Sequence, residues 1–296
     1  MLRPVIAAPR ASGLCLALIA IGAAACGDGS KAVLNEQAEA HTIASRLRVE
    51  FSHAADASNR AVMSDADETS KTAAHEAQEA TQAVDKDVEE LQRILSHLGD
   101  GEVDLLDRFK TRFTQYKALD ADILPLAVEN TNVKAQRLAF GPAQDEVNAF
   151  RQLVKAASRM AVGPNVANAE GAAGRAIVAV LEIQVAEARH IAESQEAVMT
   201  GIEGAMQGSQ EEARTALGFL TRLTPPGAAP LLAGASEALD KLIATNKEIV
   251  TLSRRNSNVR SLALSLGKKR TVTAECDDLL QTLEESLAKR HFSATR

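Results

Sequence analysis

The stretch 256-NSNVRSLALSLG-267 repeats 130-NTNVKAQRLAFG-141 at an offset of 126 residues. Five of the twelve positions are identical, and Thr/Ser and Lys/Arg pairs extend the match. The same offset lays Leu105-Leu106 on Leu231-Leu232, Gly101 on Gly227, Phe113 on Leu239 and Tyr116 on Leu242. A likeness that carries breakers and apolar positions along with it reads as an internal duplication. A shorter likeness pairs 61-AVM-63 with 197-AVM-199, at a different offset of 136.

Working outward from these copies, breakers divide the chain at 99-GDG-101, 163-GP-164 and 225-PPGAAP-230. Four stretches lie between them, roughly 35–98, 102–162, 165–223 and 229–290. Each places apolar residues at helical spacing. Aromatic residues make up 3% of the chain and Trp is absent, while Ala, Leu, Glu, Lys and Arg abound. These residues enter helices at small entropic cost. The expectation is all-α: a long antiparallel up-down-up-down four-helix bundle made of a duplicated helical hairpin, with hairpins at 35–162 and 163–296. Two shorter bundles stacked end to end, with Pro125 and Gly141-Pro142 near the junction, are the alternative. Pro125 is expected to kink or interrupt the second segment.

The duplicated segments carry matching stripes. One runs Leu106, Phe109, Phe113, Tyr116, Asp120, Ile123, Ala127, Asn130. The other runs Leu232, Ala235, Leu239, Leu242, Asn246, Ile249, Ser253, Asn256. Asn130 and Asn256 thus fall on core-facing sides near mid-length, where an amide is costly unless hydrogen-bonded. Two readings stand for a layer of Asn130, Asn132, Asn256 and Asn258, with Tyr116 on the same stripe. It fixes helix register among interchangeable Ala/Leu layers, or it holds a small polar ligand with help from Lys134 or Arg260.

The N-terminus has its own pattern. MLRPVIAAPR carries two arginines and no acid, and 14-LCLALIAIGAAA-25 is an apolar run of twelve residues. That is short for a membrane span, which needs about twenty, and suits an export signal. The run ends at 23-AAAC-26, which resembles a bacterial lipobox. Residues 1–25 are therefore expected to be a lipoprotein-type signal, Cys26 the site of lipid attachment with acyl chains such as palmitate, and 26–34 a flexible tether. An uncleaved anchor and an ordinary signal peptide remain as alternatives. Each puts the body outside the cytoplasm, on the periplasmic side of a bacterial membrane. Cys15 lies inside the signal, so Cys276 is the one thiol of the mature body, read as buried and structural.

The chain carries 33 basic and 39 acidic residues, a net charge of -6. Arg3 and Arg10 are the only charges before Cys26, so 31 basic and 39 acidic residues, a net -8, remain after it. This speaks against nucleic acid as partner. The cluster 268-KKR-270 reads as a solvated helix face. No HExxH, CxxC, GxSxG or phosphate-binding loop occurs. Glu187 and His190 form a single Glu-x-x-His spacing, whereas a di-metal bundle wants two with further glutamates opposite; the spacing reads as solvent exposure or chance. No metal, cofactor or enzymatic activity is expected.

The stretch 105-LLDRFKTRFTQYKALDADILPLAVENTNVKAQRLAF-140 and its echo at 231–290 resemble the four-helix-bundle ligand-binding domain of bacterial methyl-accepting chemotaxis receptors and related sensors. The resemblance implies an extracytoplasmic sensor domain. It departs from that family in lacking a second span, a linker module and a cytoplasmic signalling hairpin. Arg108 and Arg112, four apart, do not place the arginine pair that grips carboxylates there. The expected function is a lipid-anchored sensor-like protein that binds a small ligand or a protein, with an envelope protein or a second copy as partner. The alternative is a scaffold lipoprotein without a small ligand.

Overall fold

The structure is a computed structural model that describes the backbone of residues 22–97 and 100–294, and side chains over 32–97 and 101–290. Residues 1–21 of the export signal expected at 1–25, and the side chain of Cys26, lie outside the described residues, and 22–25 begin the first helix. The backbone of 26–34, expected as a tether, runs within the first helix. Among the described residues every regular element is helical: α1 (Gly22–Met63), α2 (Asp67–Leu95), α3 (Asp100–Glu129), α4 (Thr131–Leu138), α5 (Gln144–Ser158), α6 (Val166–Ala192), α7 (Glu196–Leu223), α8 (Ala229–Arg255), α9 (Ser257–Leu264) and α10 (Arg270–Ala294). No described helix is long and apolar enough to cross a membrane.

The simple four-helix bundle needs correction. The segments expected at 35–98 and 165–223 each turn back on themselves, at 64–66 and 193–195, so the described residues form six helical runs. Neither turn contains Gly or Pro. Side chains make them instead: the Ser64 hydroxyl bonds both backbone groups of Ala66. The Glu193 carboxylate accepts the N–H groups of Ser194 and Gln195, both at 2.8 Å. Acidic residues at the following helix starts, Asp67, Glu68 and Glu196, suit the positive end of the helix dipole. The AVM likeness dissolves here, because Met63 ends α1 while Met199 lies in the first turn of α7.

Two copies of one plan result. The first repeat is α1–α5 and the second α6–α10. The ends of α1 and α6, Met63 and Ala192, give an offset of 129 for the first two helices of each repeat. From α3 onward the offset is 126, as in the pairs Thr131/Ser257 and Asn132/Asn258. Pro125 lies within α3 without breaking it. The break falls at Asn130, and at Asn256 in the copy, both left-handed with φ of 50° and 54°. Asn tolerates that region better than other residues with a side chain. Gly141-Pro142 is absorbed by a π-helical turn at Ala139–Ala143, matched by one at Ser265–Lys269. The wider turn relieves the clash of a proline ring with the carbonyl four residues back.

Two compact units divide the chain. The first holds α1 to Ser52, the end of α2 from Ala80, α3 to Phe113 and α10 from Ala274. Polar pairs link these helices in a ring: Arg46 with Asp87, Lys110 with Gln92, Arg112 with Glu275, and Ser45 with Glu284. Phe51, Phe109 and Phe113 pack inside with centroids 5.5 to 6.1 Å apart. Cys276 is buried, and burial pushes its thiol up to about 12, which fits an inert packing role. The second unit holds residues 53–79 and 114–273. In it α5, α6, α7 and α8 form a bundle whose core is largely alanine, with Val147, Phe150, Ile183, Leu220 and Leu239 filling between. Each bundle therefore combines three helices of one repeat with the last helix of the other.

Candidate functional site

All sixteen stripe positions are buried, the polar ones included. Asn130, Asn132, Asn256 and Asn258 come together in the second unit, at the starts of α4 and α9. A helix start leaves N–H groups without partners. Here each start is capped by the other repeat. The Thr131 N–H donates to the Ser257 hydroxyl at 3.1 Å, and the Ser257 N–H to the Thr131 hydroxyl at 3.0 Å. The Asn132 N–H donates to Asn258 Oδ1 at 3.1 Å, and the Asn258 N–H to Asn132 Oδ1 at 3.2 Å. Asn132 Nδ2 donates to Asn256 Oδ1 and to the Ile191 carbonyl, and Asn258 Nδ2 to Asn130 Oδ1, all at 2.8 Å. Asn256 Nδ2 reaches the Glu193 carbonyl at 2.8 Å. Equivalent residues thus exchange equivalent bonds, the pattern of a two-fold relation. Glu129 and Arg255, also equivalents, carry opposite charges and pair at the rim, where Arg255 Nε donates to Glu129 Oε2 at 2.6 Å. The guanidinium holds the Glu129 carboxyl below its usual value.

Tyr116 is not part of this clasp. It is buried beside Lys269, whose Nζ lies 4.8 Å from its ring centroid. Lys269 belongs to the cluster expected on a solvated face, yet it is only 2% exposed. The π turn rotates it inward, where its ammonium donates to the Ser58 hydroxyl and to Asp120 Oδ1. Ser58 also donates to Asp120 Oδ1, at 2.8 Å. Burial pushes the Lys269 ammonium down in pKa, and Asp120 opposes this. A buried charge persists in such surroundings only when paired.

The second repeat holds different chemistry at the same places. The offsets put Glu187 at the place of Ser58, Asn246 at that of Asp120, Leu242 at that of Tyr116 and Ala143 at that of Lys269. Glu187 is fully buried, and neither carboxyl oxygen has a hydrogen-bond partner in the protein. Burial pushes its pKa up to about 8. Asn246 Oδ1 is likewise buried without a partner. One turn beyond, His190 is buried with Nδ1 2.6 Å from the Ser253 hydroxyl and Nε2 2.8 Å from Glu203. Arg254, and then His190, hold Glu203 below its usual carboxylate value. The Glu187/His190 spacing is therefore buried, not exposed as expected. No cluster of three metal-ligating side chains occurs among the described residues.

The fold has a solved counterpart. The TorS sensor domain, from its complex with TorT in the presence of TMAO, matches with a TM-score of 0.50 and 12% identity, over 84% of this chain and 99% of that one. The sensor domain of the V. parahaemolyticus histidine kinase sensor TorS aligns over 86% of this chain and 99% of that one, with a TM-score of 0.42 and 11% identity. No family model matches the chain, nor does any curated protein sequence. The expected kinship with chemotaxis receptors thus narrows to an all-helical fold of the TorS sensor kind, and does not extend to their four-helix bundle in particular.

Outside the buried layers, α3 and α10 line a groove of about 570 Å³ that includes Arg108 and Arg112. Arg112 is paired there with Glu275 at 3.0 Å. Exposed glycines recur along α6 and α7. Gly171, Gly174, Gly201, Gly204, Gly208 and Gly218 are exposed, with nothing within 4 Å of a Cβ built on any of them. Glycine inside a helix costs about 0.5–1 kcal/mol relative to alanine, and packing within this chain does not account for that cost.

Proposed function

We propose that the protein is an extracytoplasmic sensor-type helical module, held to the membrane by lipid on Cys26, that works by engaging another envelope protein. The observation that carries this reading is the match to a sensor domain along most of both chains. That domain was solved in complex with a second protein, TorT. The exposed glycines of α6 and α7 add a physical reason, because residues without side chains let another backbone approach closely. The 23-AAAC-26 signal supplies the anchor.

Two experiments test it. Cells given labelled palmitate should yield labelled protein from the wild type and none from Cys26→Ser. A photo-crosslinking residue at Gly174 or Gly204 should capture one defined envelope protein, and the same residue at Asp240, also exposed, should not. Equal yields at all three positions would refute the partner surface.

A scaffold lipoprotein without a small ligand is the second reading. The Asn clasp favours it, since its amides satisfy one another directly. Register control by that clasp is accordingly our preferred role for Asn130, Asn132, Asn256 and Asn258.

A further inference from the structure

The two repeats differ most where one of them buries an ammonium group. In the first, Ser58, Asp120 and the Tyr116 ring surround the Nζ of Lys269. In the second, the acceptors remain while the lysine is replaced by alanine. The π turn ending in Ala143 packs against both α6, which carries Glu187, and α8, which carries Asn246. Lys269 and Tyr116 lose more side-chain atoms in becoming Ala143 and Leu242 than Ser58 gains in becoming Glu187. Three oxygens, both of Glu187 and Oδ1 of Asn246, are buried and accept no hydrogen bond from the protein, against the single Oδ2 of Asp120 among Ser58, Asp120 and Lys269 in the first repeat. Native proteins rarely leave such groups unmet.

We propose that the Glu187–Asn246 position in the α5–α8 bundle is a binding site for a small primary ammonium, which takes from outside the place that the side chain of Lys269 fills in the other repeat. The chemistry is specific. Oxygens that accept nothing from the protein, two of them on a carboxyl group that a neighbouring cation would ionise, suit a ligand that is all donor and positively charged. Three N–H groups on a primary ammonium match three oxygens, whereas a quaternary amine offers none.

Access has a structural basis. The buried His190 leads outward through Glu203, which is partly exposed and paired with Arg254. In the first repeat the places of His190, Glu203 and Ser253 are held by Ala61, Ala74 and Ala127, all apolar. The polar route therefore exists only beside the site that lacks its own lysine. The glycines of α6 and α7 weaken the helices that would open. This inference goes beyond the partner-binding reading and stands or falls without it, because its test measures ligand binding alone.

The test is calorimetric unfolding of the full chain in mild detergent with methylammonium chloride. Potassium chloride and tetramethylammonium chloride at equal ionic strength serve as controls. Methylammonium should raise Tm by about 3 °C at ten times its Kd, and the controls should not. The rise should vanish in Glu187→Gln, which cannot ionise beside a cation, and in Ala143→Lys, which supplies a tethered ammonium. Either variant decides the question if the other fails to fold. No rise in the wild type, an equal rise with potassium, or a rise that persists in a folded variant would overturn the proposal.

Discussion

The clasp and the buried layer adjoining it belong to the same pair of repeats, yet they have been treated differently. At the clasp the repeats carry Asn-Thr-Asn and Asn-Ser-Asn, and each side chain meets its own counterpart. At the layer, one repeat bonds Ser58, Asp120 and Lys269 to one another and leaves only Asp120 Oδ2 of that group unmet, and the other has Glu187 and Asn246 with three unmet oxygens. Where both copies must fit each other, a change in one disturbs both, so the chemistry stays paired. Where each copy faces only its own bundle, the chemistry is free to diverge. The difference separates groups that hold the fold from groups available for another task.

Breaking the layer that holds Lys269 should produce the largest effect. Lys269→Met leaves the Asp120 carboxylate buried without its cation and should cost about 3–5 kcal/mol, read from urea unfolding at pH 7. Adding Asp120→Leu should recover most of that loss. A double variant as unstable as the single one would show that packing, and not charge, dominates there.

The open layer should respond to pH in the opposite sense to an ordinary salt-bridged carboxylate. Burial lifts Glu187 from 4.5 to about 8 in the folded protein. Over that window the folded state binds more protons than the unfolded state, so its stabilising share falls as pH rises. Relative to Glu187→Gln, the wild type should lose about 1.4 kcal/mol per pH unit between these limits. Parallel pH profiles for the two proteins would contradict the assignment.

Cutting the clasp should cost less. Asn132→Ala and Asn258→Ala each remove bonds to buried backbone donors and should destabilise by about 1–3 kcal/mol. Because the two residues serve each other, the double variant should fall short of the sum, which a double-mutant cycle measures. Smallest of all, Gly174→Ala and Gly204→Ala should each stabilise the chain by about 0.5–1 kcal/mol in thermal unfolding. The same changes should weaken capture of a partner at that face.

Much of the fold was legible in the sequence. Heptad-like spacing placed sixteen core positions, all of them buried in the structure, and the repeated NxNV pattern located both left-handed asparagines. The hairpin turns at 64–66 and 193–195 carry no Gly or Pro to mark them, and Ser64 and Glu193 turn the chain with side-chain bonds instead. One signal was present, since Ser64-x-x-Asp67 has the spacing of a capping box. The buried ionisable groups were harder to read. Lys269 sits between two other basic residues, and Glu187 lies in a helix with other charges, so local context argues for solvent. Only the duplication could have exposed them, because it sets Lys269 against Ala143 and Asp120 against Asn246.

The exchange of last helices governs the order in which the molecule can form. The first bundle needs α10, and Ser45 of α1 bonds Glu284, 239 residues later in the chain. A chain that emerges N-terminus first must therefore hold three amphipathic helices without their fourth until synthesis is nearly complete. The second bundle faces no such wait, because α5 to α8 follow one another directly. Contacts between distant segments also form more slowly than local ones. The second bundle should thus be the early-folding part, and the exposed apolar faces of α1 to α3 the segment that most needs shelter during synthesis.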